Sequence, residues 1–103
     1  MNKIIVTGKL THTPKKILYK KPDGYMTKIG VAVHDRGTTI FLDLKVFRPD
    51  LVNQVCDHLD KGRFVEIEGH FEKYQDSIDF VADEVIFGDK KEVTKVVGGG
   101  DDF

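Results

Sequence analysis

The stretch Thr38-Thr39-Ile40-Phe41-Leu42-Asp43-Leu44-Lys45-Val46-Phe47 decides the fold, because it writes two messages on one strand. Ile40, Leu42, Leu44 and Val46 are all aliphatic, whereas Phe41, Asp43, Lys45 and Phe47 mix rings with charge. In an extended chain, successive side chains point to opposite faces. One face is thus suited to pack a core, and the other presents rings beside a cation. On this strand alone, that second face reads equally well as a platform for a flat ligand or as a contact covered by a second core or a subunit.

The residues just before it follow the same rule. Between Tyr25 and His34, Ile29, Val31 and Val33 share one parity, and Lys28, Gly30, Ala32 and His34 share the other. Asp35-Arg36-Gly37 reads as a tight hairpin turn, which makes the two strands antiparallel neighbours. Lys28, His34, Phe41, Lys45 and Phe47 then lie on one surface. Gly30 and Ala32 leave a shallow floor in it where a flat ring could approach the backbone, although a strand glycine equally marks a bulge.

Further upstream, Ile4, Val6 and Leu10 alternate with Lys3, Thr7 and Lys9, giving a first strand in which Ile5 breaks the pattern. Thr11 to Lys16 holds Pro14, Lys15 and Lys16 and reads as a basic loop. Ile17-Leu18-Tyr19 forms a short extension. Lys20 and Lys21 then lead into a turn at Pro22-Asp23-Gly24, where proline presets the first φ and glycine accepts a positive one.

Downstream the period changes. Leu51, Val55 and Leu59 recur at i, i+4 and i+8, predicting a helix over 49–60. Pro49 suits its first position and Asp50 the positive end of its dipole, with Lys61-Gly62 as a last-turn cation and left-handed cap. Arg63 to Tyr74 returns to strand spacing, with Val65, Ile67 and Phe71 on one side and Glu66, Glu68, His70 and Glu72 on the other. Gly69 marks a sharp bend. After Gln75-Asp76-Ser77, a last strand runs from Ile78 to Phe87, and its slipped alternation at Asp83-Glu84 marks a bulge. Residues 1–88 form the domain; 89–103 read as a flexible, glycine-containing acidic tail.

Whole-chain numbers narrow the function. A chain of 103 residues, 40% hydrophobic, makes one domain. Its apolar runs are far shorter than the roughly 20 residues a membrane span needs. No signal-peptide core follows Met1, so a cytoplasmic protein is expected. The single Cys56 excludes an intramolecular disulfide, and four scattered histidines have no zinc-ligand spacing, so neither metal nor cofactor is expected. Net charge is −1, yet residues 1–48 hold ten basic against three acidic residues (+7) and residues 49–103 hold six against fourteen (−8). A surface drawn from the first half attracts phosphates, while the alternative is that the charges only solubilise a small domain. With no nucleophile–base pair, paired-carboxylate cleft or phosphate loop, an enzyme is not expected.

Three strands, a helix and two strands is the order of the all-β OB-fold, a five-stranded Greek-key barrel with one helix between strands 3 and 4. That fold binds oligonucleotides on strands 2 and 3 and on the loops joining 1 to 2 and 4 to 5. Those elements here collect Lys15, Lys16, Lys20, Lys21, Lys28, Lys45 and both Phe rings. A ring stacks on any base, at about 1–3 kcal/mol each, and cations hold the backbone without reading sequence. The helix carries Asp50, Asp57 and Asp60 with no Lys or Arg before Lys61, which makes it a poor reader of a duplex groove.

Over residues 2–88 the chain resembles the bacterial and bacteriophage single-stranded DNA-binding proteins. The likeness rests on Asn2-Lys3-Ile4-Ile5-Val6-Thr7-Gly8-Lys9-Leu10, on Lys61-Gly62 with Val65-Glu66-Ile67-Glu68-Gly69, and on Phe80-Val81-Ala82-Asp83-Glu84-Val85. The resemblance implies base-stacking rings at Phe41 and Phe47 and a third at Tyr74. His34 and Arg36 stand nearest to a family aromatic with no counterpart here. It also implies a homotetramer, or at least a dimer, and roles in DNA replication, recombination and repair. Asp101-Asp102-Phe103 looks like the family's partner-docking tip, without the proline usual before the Phe; a merely solvating acidic end is the alternative. Short loops and a short linker are compatible with a bacteriophage or plasmid version. Alternatives are a primosomal OB-fold adaptor, also a binding protein, and, from a different class, a protein-only assembly module in which Phe41 and Phe47 are buried against a partner.

Overall fold

The computed structural model describes residues 1–22 and 24–87. Along the chain it places β1 (Ile4–Leu10), β2 (Ile17–Lys20), β3 (Gly24–Asp35), β4 (Thr38–Val46), α1 (Pro49–His58), β5 (Phe64–Tyr74) and β6 (Ser77–Ile86). Strand order is β1-β5-β6-β4-β3-β2, and a further β1–β3 pairing closes five of the strands into a barrel. The fold is the expected OB-fold. β2, the extension read at Ile17-Leu18-Tyr19, pairs with β3 and lies outside the closed ring, so α1 still falls between the third and fourth barrel strands.

The β3–β4 ladder carries out the division of faces. Ile29 pairs with Leu44 and Val31 with Leu42, while Lys28 lies opposite Lys45 and Ala32 opposite Phe41. The aliphatic set meets Leu51 and Val55 of α1, Leu59 just after it, and Val65, Ile67 and Val85 of β5 and β6 in one core. Each such side chain contributes roughly 1.5–3 kcal/mol on burial. At the turn, Arg36 (φ 53°) and Gly37 (φ 83°) are both left-handed, the primed geometry whose twist matches paired strands.

Several local expectations are corrected. Ile40 has inward parity but is 44% exposed, because the β3–β4 hairpin runs past the end of the barrel and leaves its tip uncovered. Phe71 is exposed for the same reason on the β5–β6 hairpin and packs edge-on against Phe80, centroids 4.9 Å apart. α1 ends at His58, with Leu59 already extended; Gly62 (φ 87°) belongs to the next turn, where its N–H donates to the Leu10 carbonyl. Gly24 already begins β3. The bulge stands where the alternation slips: Glu68 pairs with Glu84 but Gly69 with Ala82, leaving Asp83 as the additional residue. The tail 89–103, with Asp101, Asp102 and Phe103, lies outside the described residues.

Candidate nucleic-acid interface

β4 and β6 run parallel and pair at a single register, Lys45 with Val81. Beyond that point the two hairpins splay, and a cleft of about 1140 Å³ opens between them. Phe41 to Lys45 form one wall, Ile78 to Phe80 a second, and Thr11, His12, Thr13, Lys15, Lys16 and Ile17 of the β1–β2 connection a third. Lys28 and Lys61 complete the lining.

The basic loop is held to the barrel at several points. Thr11 N–H donates to the Gly30 carbonyl at 2.9 Å, Thr27 Oγ1 donates to the Lys15 carbonyl at 2.7 Å, and Lys61 N–H donates to Thr13 Oγ1 at 3.0 Å. His12 Nε2 lies 3.2 Å from the Lys28 carbonyl, which can only accept, so Nε2 donates there, and Nδ1 lies 3.2 Å from the Thr11 hydroxyl. These bonds fix the backbone beneath Lys15 and Lys16, whose side chains remain exposed. They also correct the floor expected at Gly30. A Cβ there would overlap Thr11 Oγ1 and lie 3.1 Å from the His12 ring, so the loop already fills that space.

The cleft brings together Lys15, Lys16, Lys28, Phe41 and Lys45 of the expected set. Phe41 is 72% exposed, a large apolar surface left in water beside cations. Lys45 is not a bare charge, since its Nζ lies 3.1 Å from Asp79 Oδ2. Phe47 lies outside the cleft, half-buried, its ring meeting Tyr19 edge-on at 5.6 Å. His34 and Arg36 sit at the exposed tip of the β3–β4 hairpin, where His34 Nδ1 is 3.1 Å from Thr39 Oγ1. Tyr74 ends β5 and is 66% exposed; Lys20 ends β2 and Lys21 follows it, neither of them lining the cleft.

Sequence reasoning missed His12, Lys61, Ile78 and Phe80 as lining residues. Ile78 and Phe80 carry core parity, and nothing local distinguishes a barrel interior from a cleft wall. Tyr19 carried a usable signal, an exposed-strand aromatic next to Lys20 and Lys21.

Away from the cleft, His70 is gripped from both sides, Nδ1 by Asp83 Oδ2 and Nε2 by Glu72 Oε2, each at 2.7 Å. Both carboxylates can only accept, and hydrogen bonding to Asp83 first and Glu72 second raises the imidazole pKa above its usual value. At the start of α1, Arg48 Nε donates to Asp50 Oδ1 at 2.7 Å and lowers that carboxyl's pKa.

Solved structures of the same architecture include the mitochondrial single-stranded DNA-binding protein Rim1 of S. cerevisiae. It aligns with a TM-score of 0.71 at 17% identity, over 84% of this chain and 93% of Rim1. This chain shares its fold with single-stranded DNA-binding proteins. The wild-type protein of Thermus aquaticus aligns at 0.71 and 23% identity over 87% of this chain, and its deletion mutant at 0.71 and 23% over 85%. In both Thermus cases the chain spans 41% of the longer protein. No protein-family model and no curated protein matches the sequence.

Proposed function

We propose that this protein binds single-stranded DNA without sequence preference, laying the strand along the cleft between β4, β6 and the β1–β2 loop. The observation that carries this reading is Phe41, 72% exposed on the cleft wall and set among Lys15, Lys16 and Lys28. Leaving a phenyl ring in water is unfavourable unless a ligand covers it, and a base does so at about 1–3 kcal/mol. The lysines supply the sequence-independent hold on phosphates. His34 and Arg36 at the hairpin tip, Tyr74 on the opposing hairpin, and Phe47 with Tyr19, Lys20 and Lys21 extend the path of the strand beyond the cleft. The protein is a binding protein, not an enzyme. It serves DNA replication, recombination and repair in the cytoplasm as a self-associated dimer or tetramer, with Asp101, Asp102 and Phe103 recruiting partner proteins.

The test is a titration with oligo-dT and with a duplex of equal length, followed through the quenching of Tyr19, Tyr25 and Tyr74, the three tyrosines of a chain without tryptophan. Oligo-dT is expected to bind, with log K falling against log salt by about 0.7 per phosphate contact, and the duplex to bind far more weakly. Absence of oligo-dT binding at low salt, with Phe41 buried in a homomeric contact, favours the assembly module instead.

A further inference from the structure

Lys45 sits where the cleft begins, at the one register that joins β4 to β6, and its Nζ reaches Asp79, two residues before its β6 partner Val81. Asp79 is an odd residue for a site that holds phosphates. It also stands directly opposite Glu72 in the β5–β6 ladder, a like-charge cross-strand pair that is unfavourable in itself. Each of the two carboxylates has its own partner: Glu72 the His70 ring, at 2.7 Å, and Asp79 the Lys45 ammonium, at 3.1 Å. Lys28, across the ladder from Lys45 and lining the same cleft, forms no ion pair among the described residues.

We propose that Asp79 occupies Lys45 in the DNA-free protein in the place a phosphate of the bound strand takes, so that Asp79 tunes affinity and its salt dependence. With single-stranded DNA as the ligand, as proposed above, binding at Lys28 adds a new ion pair, whereas binding at Lys45 exchanges one anion for another. The Lys45–Asp79 pair is partly buried, with side-chain exposures of 36% and 24%, so salt screens it less than a surface pair. The lysine ammonium is a compact point charge on a flexible stem, able to turn from carboxylate to phosphate without rebuilding the strand. Asp79 is therefore a positioning and tuning residue, and it makes Lys45 contribute less to affinity than its neighbour does.

The test compares wild type, Asp79→Asn, Lys45→Gln, Lys28→Gln and the double variant Asp79→Asn with Lys45→Gln. Each is titrated with oligo-dT across about 50 to 200 mM salt, with circular dichroism to establish the fold. Asp79→Asn is expected to tighten binding about two- to tenfold at the lowest salt and to steepen the log–log slope by about 0.7. Lys28→Gln flattens the slope more than Lys45→Gln, and in the Lys45→Gln background Asp79→Asn leaves the slope unchanged. Asp79→Ser is the second variant should Asn misfold. An unchanged slope and affinity in folded Asp79→Asn overturns the exchange, as does an equal gain in the Lys45→Gln background, which marks general repulsion. Failure of the wild type to bind oligo-dT at all overturns the DNA reading itself, and this exchange with it.

Discussion

Gly30 lies opposite Asp43 across the β3–β4 ladder, and the space its missing side chain leaves is filled by Thr11 and His12 of the β1–β2 loop. Thr11 is also tied through its backbone N–H to the Gly30 carbonyl, so the loop cannot slide away from an added Cβ. Gly30→Ala is expected to overpack this contact at a cost of about 1–3 kcal/mol. In a domain of this size that lowers Tm by about 4–8 °C per kcal/mol. Because the same loop carries Lys15 and Lys16, oligo-dT affinity falls in parallel. Differential scanning calorimetry and the fluorescence titration check both; an unchanged Tm contradicts the packing argument.

The two phenylalanines of the opening stretch separate by experiment. Phe41 is exposed and lines the cleft, whereas Phe47 is half-buried against Tyr19. Phe41→Ala is expected to leave Tm nearly unchanged while weakening oligo-dT binding by about 1–3 kcal/mol. Phe47→Ala costs stability, about 1–2 kcal/mol for a ring that is only partly buried. Thermal melts and titrations on the same samples read the two effects separately. A large Tm loss in Phe41→Ala with undiminished affinity reverses the assignment.

His70 gives a pH dependence of known sign. Its folded pKa is raised by Asp83 and Glu72, so its stabilising contribution is fully present below the unfolded value of about 6.5 and is lost as pH rises through the folded value. Stability measured by urea denaturation is therefore expected to fall through this window in the wild type, and His70→Gln is expected to remove that part of the fall. An NMR titration of the His70 ring that gives a midpoint at or below that of a free histidine contradicts the geometry.

At the hairpin tip, Arg36 holds a left-handed φ of 53° that asparagine adopts at lower cost. Arg36→Asn is expected to raise stability by about 0.5–1 kcal/mol by chemical denaturation. If Arg36 also meets the strand, the same variant loses oligo-dT affinity and its salt slope flattens by about 0.7.

What the sequence made legible was local and periodic. Alternation placed the barrel strands, the i, i+4 spacing placed α1, Asp35-Arg36-Gly37 placed the turn, and the slip at Asp83-Glu84 placed the bulge. The misses are long-range. Ile40 obeys the inward parity but lies past the barrel's end, which depends on how far the β3–β4 hairpin overhangs its neighbours. The close approach of Thr11 and His12 to Gly30 joins residues about twenty apart, and the Lys45–Asp79 pair has a separation of 34. No pattern within either strand encodes such a pairing. Asp43 lines the cleft unpaired among the described residues.

The most direct measurement is a ¹H–¹⁵N correlation spectrum of the protein titrated with oligo-dT. The account predicts saturable shifts concentrated at His12, Lys28, Phe41, Lys45, Ile78 and Phe80, with the exposed face of α1 unmoved. Shifts confined to α1 or to the outer surface of β1 and β5, or a spectrum unchanged by excess oligo-dT at low salt, would contradict it.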